Sequence, residues 1–353
     1  MKGLQRLCHR GLYSIPDTLR STLMINHARS SPSLAWRMAL TAVILCVIYA
    51  ALAQSYQLIA LPQSAQLREV YSQPKYLMPL LATIATWTVF VGLTVWGAMH
   101  RWLRQHNTQA VDQPRKLFGT FIALLLIFSL TVSVATIYLH KALIRYVLEH
   151  AGAAIQAGQT GHFIAVALII SALTITLEIL GAYLALRIAT GTVQPAGPAG
   201  GPVYEQRHAA WNAGLMMLGW QLSVVVGVGC YLQMQSPKMG WLEHVLGYLV
   251  LPALILVLCT RVCLKILPRP IGDARQGRAL AHGTLAFWLA QVLGIGMGIL
   301  ADLAMPWGPP TRIAESNVAV GVTLLVYAAL LVLGCMVGKR ALYPPSGKLA
   351  LNH

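Results

Sequence analysis

The chain has 353 residues, of which 57% are hydrophobic and only 10% charged, with a mean hydropathy of +0.63 and a formal net charge of +16. Soluble domains carry charge on about a quarter of their positions, so the composition excludes an ordinary soluble enzyme. It also turns the basic excess away from nucleic acid, because the 26 Lys and Arg lie between apolar runs and not on one patch.

Residues 1–36 carry Lys2, Arg6, Arg10, Arg20 and Arg29 against the single acid Asp17, and read as a basic cytoplasmic arm lying on the membrane surface. The first apolar run, about 37–55, ends in Ala51-Leu52-Ala53, which matches a signal-peptidase site. The basic region before it is far longer than a signal peptide's, so an uncleaved first helix is expected. Seven further runs, near 77–99, 117–139, 163–187, 212–234, 244–265, 280–302 and 317–338, are each long enough to cross about 30 Å of hydrocarbon, which takes roughly 20 residues at the helical rise. Basic residues are retained on the cytoplasmic side. Counted with their flanks, the arm, the even-numbered connections and the tail hold 20 Lys and Arg, and the odd-numbered connections hold 6. The expectation is therefore an all-α polytopic protein of eight transmembrane helices with N and C termini cytoplasmic. Trp36, Trp102 and Trp211 fall at the inner boundary, and Trp241 and Trp307 at the outer, as interfacial aromatics should.

Between the third and fourth spans, Leu143, Val147, Ala151 and Ile155 at near-helical spacing suggest a short helix on the outer surface. The Gly, Pro and Ala content of 191–203 suits a flexible linker. The expected organisation is thus an arm (1–36), a four-helix block (37–190), a linker (191–210), a second four-helix block (211–338) and a cytoplasmic tail (339–353). The six cysteines lie in or beside spans or in the arm, there is no Asn-x-Ser/Thr sequon, and the loops are short. A bacterial inner membrane is the simplest home, with the lipid bilayer as partner, further membrane subunits as an option, and no nucleic acid.

One carboxylate stands out. Glu178 lies deep in the fourth span, where an acid is costly and by default functional. Ser171, Thr174, Glu178, Gly181 and Ala185 share a helical face, and the third span presents Ser129, Ser133, Thr136 and His140 as a matching face that would shield the acid. Gln291, Gly294, Gly298 and Asp302 form a face on the seventh span, with Gly294-x-x-x-Gly298 as a close-packing motif. Gln221 lies near the middle of the fifth span beside a seam of Gly219, Ser223 and Gly227. A single polar interior between the third, fourth, fifth and seventh spans is expected from Glu178, Thr174, Ser171, Ser133, Gln221, Gln291 and Asp302. The bland alternative is a structural acid, neutral by burial or paired with a neighbouring Ser, Thr or Gln. Pro252 should kink the sixth span, and Arg261 should snorkel to the inner interface sooner than reach Glu178.

No cofactor or metal is expected. His140, Glu149, His150 and His162 show no fixed ligand spacing, and Cys259 and Cys263, one turn apart, have no further ligand near them in sequence. Zinc-protease, nucleotide-loop and acyl-enzyme motifs are missing. Three functions remain: a permease with Glu178 binding a proton or cation, a non-catalytic subunit or anchor of an envelope assembly such as a secretion or transfer machine, and, more weakly, an intramembrane enzyme acting on lipid through His140 or His162.

Overall fold

The computed structural model describes residues 33–343 apart from 61, 63, 157–160, 198–199, 236–240, 270, 272–275 and 305–316. The N-terminal arm and most of the tail lie outside the described residues. The chain runs through α1 (Leu34–Ile59), a short α2 (Ser64–Tyr71), α3 (Pro74–Gln105), β1 (Ala110–Val111), α4 (Pro114–Gln156), α5 (Gly161–Gly191), β2 (Pro195–Ala196) and α6 (Gln206–Gln235). It continues through α7 (Trp241–Val245), a π turn (Leu246–Val250), α8 (Leu251–Ile266), α9 (Gln276–Ala304) and α10 (Asn317–Leu342). Among the described residues, eight helices are long and apolar enough to cross a membrane. This is a helical, multi-pass membrane protein.

The helices begin and end where local chemistry dictates. The Ser33 side chain accepts from the Trp36 N–H and caps α1. Proline opens α3 and α4, at the position where a helix has no use for the missing N–H. Several helices run past the apolar windows. The clearest case is α4, a single helix of 43 residues, about 64 Å at the helical rise and therefore well beyond the bilayer. The expected separate surface helix after 141 is instead a continuation of α4, because no proline interrupts it and Arg145 and Glu149 stand one turn apart. The expected disturbance at Pro252 takes the form of the π turn just before it. Proline cannot donate to the Tyr248 carbonyl, and the wider turn absorbs the defect.

In the first half, α1 packs on α3, α4 on α5 and α3 on α5; in the second, α6 packs on α8 and α9, and α10 on α9 and α8. The halves meet chiefly through α3 against α6, while α5 and α6 barely touch. The linker is pinned more firmly than its composition suggests. β1 and β2 pair antiparallel with Ala110 opposite Ala196, and Asp112 Oδ1 accepts from the Gln194 N–H at 2.9 Å. The backbone of Asn107, at φ 48°, receives Gly200, itself at φ 136°. Gln206 then donates to the Leu264 and Leu267 carbonyls, so the second, fourth and sixth connections gather at one end, which also carries Arg101, Arg104, Arg187, Arg207, Arg261 and Arg269.

Close helix approach comes from glycines other than the expected motif. A Cβ on Gly298 would meet nothing within 4 Å, and one on Gly294 only Leu330 at 3.7 Å. The tight contacts are Gly283, where a Cβ would stand 2.4 Å from the Ala213 carbonyl oxygen, and Gly334, 2.4 Å from that of Ala286. Gly294-x-x-x-Gly298 makes no tight backbone contact, and the α6–α9 and α9–α10 contacts depend on Gly283 and Gly334.

Candidate functional site

Glu178 is 4% exposed, and its Oε2 accepts from Ser129 Oγ at 2.8 Å. Of the α4 face expected to shield it, Ser129 reaches the acid, while Thr136 bonds its own helix. Trp87 of α3 turns its indole toward the carboxylate without closing a well-formed hydrogen bond, and Cys46 of α1 lies within its field. Tyr49 donates to Ser133 Oγ at 2.8 Å and packs edge-on against Trp87, with centroids 6.1 Å apart. No described Lys or Arg pairs with the acid, and Arg261 is exposed at the basic end. Of its helical face, Thr174 donates to its own Ile170 carbonyl at 2.7 Å, and Ser171 lines a groove on another side of α5. The pocket around Glu178 therefore draws on α1, α3, α4 and α5.

Gln221 and Gln291 belong elsewhere. The Tyr327 hydroxyl of α10 accepts from Gln291 Nε2 and donates to Gln221 Oε1 at 2.9 Å, tying α6, α9 and α10. The single polar interior expected from the sequence is thus two clusters, one in each half. They are separate because α3, and not α5, carries the contact with α6. The Asp302 side chain lies outside the described residues. Tyr327→Phe should break the bridge and leave two amides short of a partner. We expect a loss of about 1 kcal/mol, typical of buried hydrogen bonds in membranes and in water, measured by reversible unfolding in mixed micelles.

Between the clusters, one face of α3 lines two cavities. Thr83, Thr86, Phe90, Thr94, Gly97, Arg101 and Arg104 follow at steps of three and four, so they form one stripe about 32 Å long, roughly the hydrocarbon thickness. At the end remote from the arginines, Thr83, Thr86 and Phe90 face Ser171, Ile175 and Ile179 of α5 and Trp220 and Ser223 of α6 across a groove of about 360 Å³. At the basic end, Thr94, Gly97, His100, Arg101 and Arg104 line a vestibule of about 710 Å³ together with Tyr183, Tyr204 and Gln276.

An aromatic barrier separates the two cavities. Phe90 lies edge-on to Trp220 at 6.0 Å, Trp220 to Trp288 at 5.5 Å, and the Trp220 indole donates to Thr284 Oγ1 at 3.1 Å. Gly219 lets the Phe90 ring in, since a Cβ there would stand 2.9 Å from it. Beside the barrier, Gln276 passes over Gly97 and donates to the Leu93 carbonyl at 2.8 Å. Each threonine on the stripe donates to its own helix, Thr83 to Pro79, Thr86 to Ala82 and Thr94 to Phe90, all at 2.8 Å. Their oxygens keep lone pairs for a solute.

The vestibule wall holds an aromatic box. His100 stacks on Trp96 with centroids 4.8 Å apart, and Tyr204 and His208 close around it at 5.8 and 6.2 Å. His100 is 6% exposed and its Nε2 has no hydrogen-bond partner. The Tyr204 hydroxyl accepts from Asn212 at 3.0 Å, and burial pushes it above the usual phenol range, with Asn212 partly opposing, so it stays a neutral hydroxyl.

The second half also gathers a group that sequence spacing leaves apart. One ring nitrogen of His282 on α9, the Cys263 thiol on α8 and the Cys335 thiol on α10 lie within 4.8 Å of one another, all buried. Cys259, one turn before Cys263, also contacts the Cys335 thiol. The Cys259 and Cys263 pair thus lacks further ligands only along the chain; the fold brings two from other helices.

Neither family models, curated proteins nor solved structures give a match to this chain. The α3 stripe was present in the sequence as a run of Thr, Phe, Gly and Arg at helical steps, but it lies in a span with no mid-membrane charge to draw attention. Of the thiol and imidazole cluster, sequence spacing showed only the Cys259 and Cys263 pair and nothing of His282 or Cys335.

Proposed function

We propose that this protein is a permease that moves a small anionic solute along the α3 stripe, with Glu178 taking and releasing the proton coupled to that movement. The observation that carries the reading is the stripe itself: one helix face, as long as the bilayer is thick, with a cavity at each end and an aromatic barrier between. Such a layout suits alternating access, in which one of two openings is closed at a time. In this reading the arginine-lined vestibule opens to the cytoplasm of an inner membrane, the side on which basic connections are retained. Arg101, Arg104 and the neutral donors beside them favour a carboxylate or phosphate over a cation.

Glu178 stands on α5 within the turn from Ile175 to Ile179, which face the groove, and about one turn before Tyr183, which faces the vestibule. Its carboxylate points to Ser129 of α4. A metal cation is held by several oxygens, whereas Glu178 has one hydroxyl at 2.8 Å among the described residues, so a proton is the better fit.

The test is purified protein in liposomes loaded with a pH-sensitive dye, challenged with a panel of small carboxylates and inorganic phosphate under an imposed pH difference. Uptake of at least one anion with proton movement is expected. Arg104→Gln should raise its KM about tenfold, the usual loss of a charge-assisted hydrogen bond, with little change in the maximal rate. A protein that moves none of them and is recovered from mild detergent with a stoichiometric companion would favour the subunit reading instead.

A further inference from the structure

We infer that Cys263, His282 and Cys335, with Cys259 beside them, form a binding site for a thiophilic d10 cation, Zn²⁺ or Cu⁺, inside the second half of the protein. The inference is independent of the permease reading. Three helices separated in sequence deliver these side chains to one point, where one ring nitrogen and two sulfurs already lie within 4.8 Å of one another. Bonds of about 2.3 Å to sulfur around a tetrahedral ion put sulfurs about 3.8 Å apart, so closure needs a movement of about 1 Å. Cys259 and Cys263 stand at i and i+4 on α8 and share a face.

The imidazole is set up as a ligand. Its Nε2 lies 2.8 Å from the Cys335 carbonyl, a contact only an N–H can make productively, so Nδ1 is the nitrogen with the lone pair. Nδ1 is buried and has no hydrogen-bond partner. A ligating histidine usually gives its other N–H to a carbonyl or carboxylate in this way, fixing tautomer and ring orientation. Room for the ring is provided by Gly338, where a Cβ would stand 2.3 Å from His282 Cδ2. The Tyr343 ring meets His282 edge-on at 5.8 Å, and its hydroxyl is likewise buried without a partner. A hydroxyl there can donate to a thiolate sulfur that the neutral cluster does not offer.

Ordinary packing of small thiols would account for buried cysteines, but it requires neither the orphaned Nδ1 nor the space kept by Gly338. All four described cysteines are free, so a disulfide does not occupy the cluster. With no carboxylate in the group, the donors are soft and select against magnesium and calcium. His282, Cys263 and Cys335 are fully buried and Cys259 is 1% exposed, so four protein ligands would fill the sphere, as in a closed structural site that ties α8, α9 and α10 together. Binding deprotonates each ligating thiol, and those protons leave to the solvent.

The test uses the full-length protein purified in mild detergent under thiol-reducing conditions from cells supplied with zinc, and separately with copper, followed by elemental analysis. About one equivalent of one of the two ions is expected; which one it is distinguishes Zn²⁺ from Cu⁺. Cobalt(II) replacement should give an intense sulfur-to-metal charge-transfer band. Cys263→Ser and Cys335→Ser should each lower occupancy about tenfold or more, while Cys46→Ser, a thiol of the first half, should leave it unchanged. If the serine variants do not fold, the unaltered protein still decides, since its metal content and its cobalt–thiolate band need no substitution. Monodisperse unaltered protein holding neither ion, with no cobalt–thiolate band, would overturn the inference, as would full occupancy in folded Cys335→Ser.

Discussion

Glu178→Gln is expected to cut pH-driven uptake by about two orders of magnitude, the usual scale for losing a positioned proton-transfer group, while leaving the protein folded. Gln matches Glu in size, and its amide oxygen can still accept from Ser129, which now donates at 2.8 Å, so the packing of α4 on α5 is kept. What is lost is the group that changes charge. Exchange of solute for solute across the liposome membrane, which needs no net proton movement, should survive, and that contrast separates a coupling role from a general collapse of the site. If Glu178→Gln retains full pH-driven uptake, the acid is structural and the coupling assignment is wrong.

The largest effect on stability is expected at Gly334. A side chain there would press on the Ala286 carbonyl oxygen at 2.4 Å and on the Ala286 Cα and carbonyl carbon at 3.0 Å. These are backbone atoms of α9 and cannot rotate aside, so α9 and α10 would have to part by about an ångström, disturbing Leu331, Cys335, Ala286 and Ala290, which are fully buried. Overpacking a tight core costs about 1–3 kcal/mol or more, and Gly334→Val, bulkier than Ala, should sit at or above the top of that range. A drop in melting temperature of at least about 5 °C is expected, read by thermal denaturation in detergent. Gly298→Ala is the control. With nothing within 4 Å of the added methyl, it should be neutral or stabilise by about 0.5–1 kcal/mol through helix propensity. Equal losses at both positions would contradict the packing described here.

The contrast between these glycines shows what sequence pattern can and cannot carry. Hydropathy located all eight spanning helices, because apolar length in a bilayer is a property of one segment at a time. It placed their ends less well, since a helix stops at a cap, proline or glycine and not where lipid ends; α4 continues to Gln156 for this reason. Glu178 and its Ser129 neighbour were legible because a buried acid is rare and the faces of consecutive helices can be matched by spacing. Which helix meets which is not a local property. Gly294-x-x-x-Gly298 has the spacing of a contact but makes no tight one, whereas Gly334-x-x-x-Gly338, of the same spacing, presses on α9 at both glycines, and Gly283 lies in no such motif. Gln221 and Gln291 were expected near Glu178, yet Tyr327 joins them to each other on the far side of the α3–α6 contact. The same limit hid the relation of Cys263 to His282 and Cys335, which exists only after α8, α9 and α10 have packed.

The permease reading rests on the vestibule being a water-filled approach that reaches to Thr94, about 16 Å along α3 from Gln105 and so roughly halfway across the hydrocarbon. The most direct measurement is therefore labelling of Thr94→Cys, in inside-out membrane vesicles, with a charged thiol reagent that does not cross the bilayer, against Gln105→Cys at the mouth and the unaltered protein as background. The account predicts that both introduced thiols react from the cytoplasmic side, and that Thr94→Cys is protected by a transported anion. Reaction of Gln105→Cys alone, with Thr94→Cys inert from that side under all conditions, would contradict it.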